Sequence, residues 1–133
     1  MSTPTISLRD LPAIGQPCHG GTFAGLTTLD DGTHCAVILL PERESLLTWA
    51  EANSFAQQAG GDLPTRAIAA VLFFNARRLL PTTKWHWTCE PDGAGSYWLC
   101  HFFDGFHNHN RQRARAAAVA VRCIPLTHEA LRA

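Results

Sequence analysis

Between residues 48 and 80 the apolar side chains recur with a helical period, and on either side of that block they do not. Thr48-Trp49-Ala50-Glu51 fits a capping box, in which Thr48 accepts from a backbone N–H and Glu51 reaches back. Trp49, Ala52, Ala56 and Ala59 then share one helical face, and Gly60-Gly61 permits a left-handed cap that ends the helix. Thr65 is the expected N-cap of a second helix. Its buried stripe is read as Ile68, Val71, Leu72 and Leu79, with Pro81 as the stop. Two helices in mid-chain, flanked by alternating and β-branched segments, predict an α+β fold.

The flanks supply the strands. Thr22 to Thr28 and His34 to Leu40 enclose the turn signal Asp30-Asp31-Gly32, which predicts a hairpin closed by Pro41. Lys84 to Cys89 and Ser96 to Phe103 are aromatic-rich strands joined by Pro-Asp-Gly-Ala-Gly. Residues 104 to 112 are polar and read as a surface loop. Ala117 to Ile124 alternates and ends at Pro125, and Thr127 to Ala133 reads as one exposed helical turn. Residues 1 to 17 hold three of the eight prolines and are expected to form an extended arm.

The chain is one domain long, at 133 residues, and its 46% hydrophobic content is enough for a real core. Eleven basic residues balance eleven acidic ones. That balance argues against general nucleic-acid binding, which needs a broad positive field. The longest apolar run, Ala67 to Phe74, is too short to span a bilayer, so no membrane insertion is expected. The first ten residues lack the apolar core of a secretory signal. Five cysteines, an odd number without a CxxC pair, read as small buried hydrophobes in a reducing compartment. The expected location is the cytoplasm of a host cell or a virion.

Several segments together carry a resemblance. Gly20-Gly21-Thr22-Phe23-Ala24-Gly25, Thr48-Trp49-Ala50-Glu51-Ala52 and Gly60-Gly61-Asp62-Leu63-Pro64-Thr65-Arg66 come first. Trp85-His86-Trp87-Thr88-Cys89-Glu90, Tyr97 to Gly105 and a closing Arg115 to Arg122 segment follow in order. Over roughly residues 20 to 124 the chain resembles the DUF1566 family, related to the C-terminal domain of a Legionella collagen-like adhesin and common in phages and prophages. The resemblance implies a C-type-lectin-like fold: paired termini, two helices flanking a mainly antiparallel sheet, and long irregular loops that carry the binding surface. Two departures stand out. Ile68 replaces the acidic residue that would complete a second capping box, and the closing arginine segment is stretched.

Four groups of residues are candidates for chemistry. His86, His101, His107 and His109 could present imidazoles to zinc, but without a strong ligand spacing. Glu90-Pro91-Asp92 superficially resembles the calcium-binding triplets of lectins, yet the companion Trp-Asn-Asp is missing, and Pro-Asp-Gly is also a good turn. No metal or cofactor is therefore expected. The third group is aromatic and amide-rich: Trp85, Tyr97, Trp98, Phe103, Phe106, Asn108 and Asn110, a mixture suited to binding loops. Strand alternation places Trp87, Trp98, Cys100 and Phe102 together in the core. The fourth is Arg111, Arg113 and Arg115 with Arg122, a run whose even spacing puts the first three on one side of an extended segment. Arg115 and Arg122 read as pairing or snorkelling residues.

There is no phosphate loop, nucleophile elbow or His-Glu-x-x-His motif. The expected function is a non-enzymatic phage- or prophage-type binding module. Its contact residues are Phe106, His107, Asn108, His109, Asn110, Arg111 and Arg113, and its partner is a host protein or surface glycan. The alternative is an intracellular phage protein that modulates or inhibits a host factor, of anti-defence type. A third possibility, an enzyme related to the formylglycine-generating enzymes, would need a reactive late cysteine. The resembling families often form dimers or trimers, which leaves a homo-oligomer open.

Overall fold

A computed structural model describes residues 4–127. Among these residues, two helices pack on a seven-stranded, mostly antiparallel open sheet. The strands are β1 (Pro17–Cys18), β2 (Gly21–Thr28), β3 (His34–Leu47), β4 (Trp85–Pro91), β5 (Ser96–His101), β6 (His107–Arg111) and β7 (Ala116–Pro125). The helices are α1 (Trp49–Gln58) and α2 (Arg66–Ala76). Across the sheet the order is β1-β2-β3-β7-β4-β5-β6, so the last strand in sequence lies near the middle and β6 is an open edge. No described helix is long and apolar enough to cross a membrane.

The two helices cover opposite faces of the sheet. Ala36, Ile38 and Leu40 of β3, with Ala118, Ala120 and Ile124 of β7, pack with Ala52 and Ala56 of α1. The alternate residues Val37 and Leu39, with Val119 and Val121, pack with Ile68, Ala69, Leu72 and Ala76 of α2. Residues 35–40 of β3 and 117–121 of β7 are thus buried on both sides and apolar in an unbroken run, which overturns the alternation expected over Ala117 to Ile124. Small side chains let α1 approach closely. Gly61 lies so near the Val121 carbonyl that a Cβ there would collide with it, and Gly60 takes φ +93° to end α1.

Both N-caps form as expected. Thr48 and Glu51 make the reciprocal capping box, and Thr65 accepts from the Ile68 N–H at 3.1 Å. In place of the lost second box, Glu90 of β4 accepts from the Arg66 N–H at 2.9 Å. A carboxylate from another strand thus serves the positive end of the helix.

Five further expectations are corrected. The strand β3 does not stop at Pro41 but runs to Leu47, because the pairing steps from Leu39↔Val121 to Arg43↔Val119 and leaves the proline in a bulge. α2 ends at Ala76 and a 3-10 turn, Arg77–Leu79, changes the phase, so Leu79 is 42% exposed while Ala69, Ala76 and Leu80 are buried. The segment 104 to 112 is not a loop throughout; His107–Arg111 forms the edge strand β6, whose polar residues give no buried face to signal it. Arg111, Arg113 and Arg115 do not share an extended segment, since Ala114 N–H donates to Arg111 O at 2.9 Å and closes a turn around Arg113. Trp98 is only half-buried, and Trp87 packs on the α1 face whereas Cys100 and Phe102 pack on the α2 face.

The N-terminal arm is tied down. Ile6 is buried, its N–H donates to Pro125 O at 3.0 Å, and Thr127 N–H donates to Ile6 O at 2.9 Å. The helical turn expected over 127 to 133 lies, beyond Thr127, outside the described residues.

Candidate functional site

The expected contact residues sit on β6, and its hydrogen bonding fixes how they are presented. At one end His101 N–H donates to Phe106 O at 2.9 Å, and at the other Gln112 N–H donates to Gly95 O at 2.9 Å. Between these ends β6 pairs with β5 in unbroken register, Leu99↔Asn108 and Tyr97↔Asn110 included. Antiparallel pairs alternate in type, so the N–H groups of His107, His109 and Arg111 point away from β5 along the open edge. Two of them are already occupied. Asn108 Oδ1 accepts from His109 N–H at 2.8 Å, and Asn110 Oδ1 accepts from Arg111 N–H at 2.8 Å.

Alternation then divides the set between two faces. His107, His109 and Arg111 lie on the α2 face, opposite Cys100, Trp98 and Ser96. Here the structure assembles a cluster that sequence reasoning missed. The Arg66 guanidinium stacks over the Trp98 ring at 3.8 Å from its centroid, and its Nε donates to His107 Nδ1 at 3.0 Å. His109 meets the same indole edge-on at 5.6 Å, and its Nδ1 lies 3.1 Å from Asp92 Oδ2. Burial and then the Arg66 charge push the His107 pKa down, against the opposing pull of Glu90. His107 therefore accepts the Arg66 hydrogen bond as a neutral imidazole. The result is an aromatic plate with a cation over its face and a His–Asp pair in edge contact with it.

Asn108 and Asn110 lie on the α1 face, beside Tyr97, which stacks on Trp49 at 3.9 Å with 9° between the planes. Phe106 precedes the strand and is 68% exposed, close in sequence to Phe103, at 67%. Arg111 and Arg113 are exposed. Arg115 pairs with Glu51 at 3.2 Å and donates to Leu46 O, whereas Arg122 donates to the carbonyls of Gly60 and His19. Both are thus structural, as their positions in the sequence imply.

The histidines do not converge, and among the described residues no group of three or more His, Cys, Asp or Glu side chains is placed to hold a metal. Glu90 and Asp92 are engaged as a helix cap and a histidine partner. The five cysteines are all free; Cys35 and Cys100 are buried and the other three half-buried. Burial raises all five thiols, Cys100 to about 12 and Cys123 to about 11, which keeps them in the unreactive thiol form.

No family model matches this chain. A comparison with curated protein sequences gives no match either. The identifiable chemistry is therefore that of the residues themselves. Trp98 stood among the candidates but Arg66 was missed, because their meeting depends on β5 lying beside the start of α2. One signal was present: Glu90 and Asp92 flank a proline just where a strand must end, and acidic residues at a strand end are available to a neighbouring cation.

Proposed function

We propose that this protein is a non-enzymatic binding module of phage or prophage type, which contacts a protein or glycan through the β6 side of its sheet. The observation that carries the reading is the Arg66–Trp98–His109–Asp92 cluster. It combines a half-buried aromatic plate on β5 with a guanidinium from the start of α2 and a carboxylate just beyond the end of β4. Phe106, Asn108, Asn110, Arg111 and Arg113 extend that surface around the edge. The C-type-lectin-like plan and the DUF1566 resemblance belong to the same proposal. They are supported by the pairing of Ile6 with Leu126 near the two ends and by the two helices on the sheet.

The test is a pull-down from a host lysate that retains surface polysaccharide, using the protein beside a Phe106→Ala/His109→Ala variant. Both positions are exposed, so the melting temperature should hold. Loss of captured polysaccharide with the variant supports an adhesin. Loss of a defined host protein supports the alternative, an intracellular modulator of a host factor, which the five free cysteines favour. Capture unchanged by the variant rules out this face.

A further inference from the structure

The polar groups around Trp98 are unequally satisfied, and the imbalance has a sign. Arg66 opens α2 and is half-buried, with its guanidinium stacked at 3.8 Å on the indole and its Nε bonded to His107 Nδ1 at 3.0 Å. Those two contacts fix the plane of the guanidinium fork. Its Nη1 and Nη2 groups have no acceptor among the described residues, and neither nitrogen is sealed from solvent. Because His107 accepts at Nδ1, its ring proton sits on Nε2, a further donor on the same face. Arg111 lies on that face too, exposed and with no acceptor for its guanidinium among the described residues.

The acceptors, by contrast, are committed. Glu90 accepts from the Arg66 N–H at 2.9 Å, and Asp92 lies 3.1 Å from His109 Nδ1. What stays open is donor chemistry, which calls for an acceptor. A planar guanidinium fork takes a carboxylate through two parallel hydrogen bonds. Glu90 and Asp92 then limit the charge of the ligand. Each repels an incoming anion, so a singly charged carboxylate is favoured over a doubly charged phosphate. Arg66 also covers an indole face on which a sugar ring would otherwise stack, which favours a protein side chain over a glycan.

We infer that the surface proposed above recognises its partner through a carboxylate of an acidic protein segment, held by the two terminal amines of Arg66; this rests on that binding role. The experiment is a titration of the full chain, carrying ¹⁵N-labelled tryptophan, with the blocked tripeptide acetyl-Gly-Asp-Gly-amide. Its Asn counterpart, sodium glucuronate and inorganic phosphate are the controls. The Asp peptide should move the Trp98 indole N–H resonance saturably, while each control binds at least about tenfold more weakly, the worth of one charge-assisted contact. Arg66→Lys, which keeps the charge but loses the fork, should weaken the Asp peptide by a similar factor. Arg78→Lys, exposed and outside the proposed surface, should leave it unchanged. A Trp98 resonance unmoved by the Asp peptide overturns the inference, as do equal responses to the Asp and Asn peptides or undiminished binding by Arg66→Lys. Glucuronate or phosphate binding as tightly as the Asp peptide overturns it too. In the lysate pull-down, capture lost with Phe106→Ala/His109→Ala but kept by Arg66→Lys removes the carboxylate and leaves the binding face, whereas capture unchanged by the double variant removes the face itself.

Discussion

His86 is held neutral by its surroundings. Burial is the main cause and takes its pKa from 6.5 down to about 4; the bond to Lys84 O opposes this, while Arg43, His101 and Lys84 add to it. An unfolded chain binds a proton at this position below about pH 6.5, whereas the folded chain resists doing so until about pH 4. Stability is therefore greatest above pH 6.5 and falls as the pH drops through that window, by at most about 3 kcal/mol from this residue. Denaturant unfolding at pH 7 and pH 4.5 should show that loss, and His86→Phe, which keeps a ring against Phe102, should remove part of it. A variant with the same pH dependence as the wild type would place the titration elsewhere. Histidines elsewhere in the chain looked equally promising as a sequence pattern, yet only three-dimensional placement made this one buried. Its neighbours on β4 give a clue after the fact, since His86 alternates with Trp85 and Trp87 and so must face the other side of the sheet.

Among the elements, β6 is the least expected. An edge strand exposes a row of donors and acceptors that invites pairing with another chain. Here Asn108 and Asn110 turn back onto the outward N–H groups of His109 and Arg111. The two asparagines of the His-Asn-His-Asn pattern thereby have a structural role besides the contact role proposed for them. Asn108→Ala/Asn110→Ala should free both donors and promote edge-to-edge association, measurable as a larger, concentration-dependent mass by light scattering, while the monomer keeps its melting temperature. A variant that stays monodisperse would show that the amides do not guard the edge. The helices were legible for the opposite reason. Thr48, Glu51, Gly60 and Thr65 act within one turn of themselves, and such local chemistry needs no knowledge of the rest of the chain. Loss of the second capping box was legible too, but its replacement was not. Glu90 reaches Arg66 from 24 residues away, and removing it with Glu90→Ala should cost about 1 kcal/mol of stability, read by urea unfolding.

At the scale of the whole molecule, the ends of the described chain close the fold. Ile6 pairs with Leu126 and joins the core cluster under α1, so the expected arm is a clasp. Ile6→Ala should destabilise the protein by about 2–4 kcal/mol, the range for truncating a buried aliphatic side chain. A change below about 0.5 kcal/mol would mean the arm is peripheral. By itself the sequence determined the α+β class, both helix starts and the first hairpin, because hydrophobic period, capping and turn chemistry act over a few residues. It pointed to pairing roles for Arg115 and Arg122, but not to their partners, which lie more than 60 residues away. Only the tertiary structure decided the strand order, which inserts β7 between β3 and β4, and with it everything that depends on strand neighbours. The edge position of β6, the meeting of Arg66 with Trp98 and the burial of His86 all arise from that order. Contacts between residues distant in sequence leave no local period to read, so they are fixed only when the sheet is assembled.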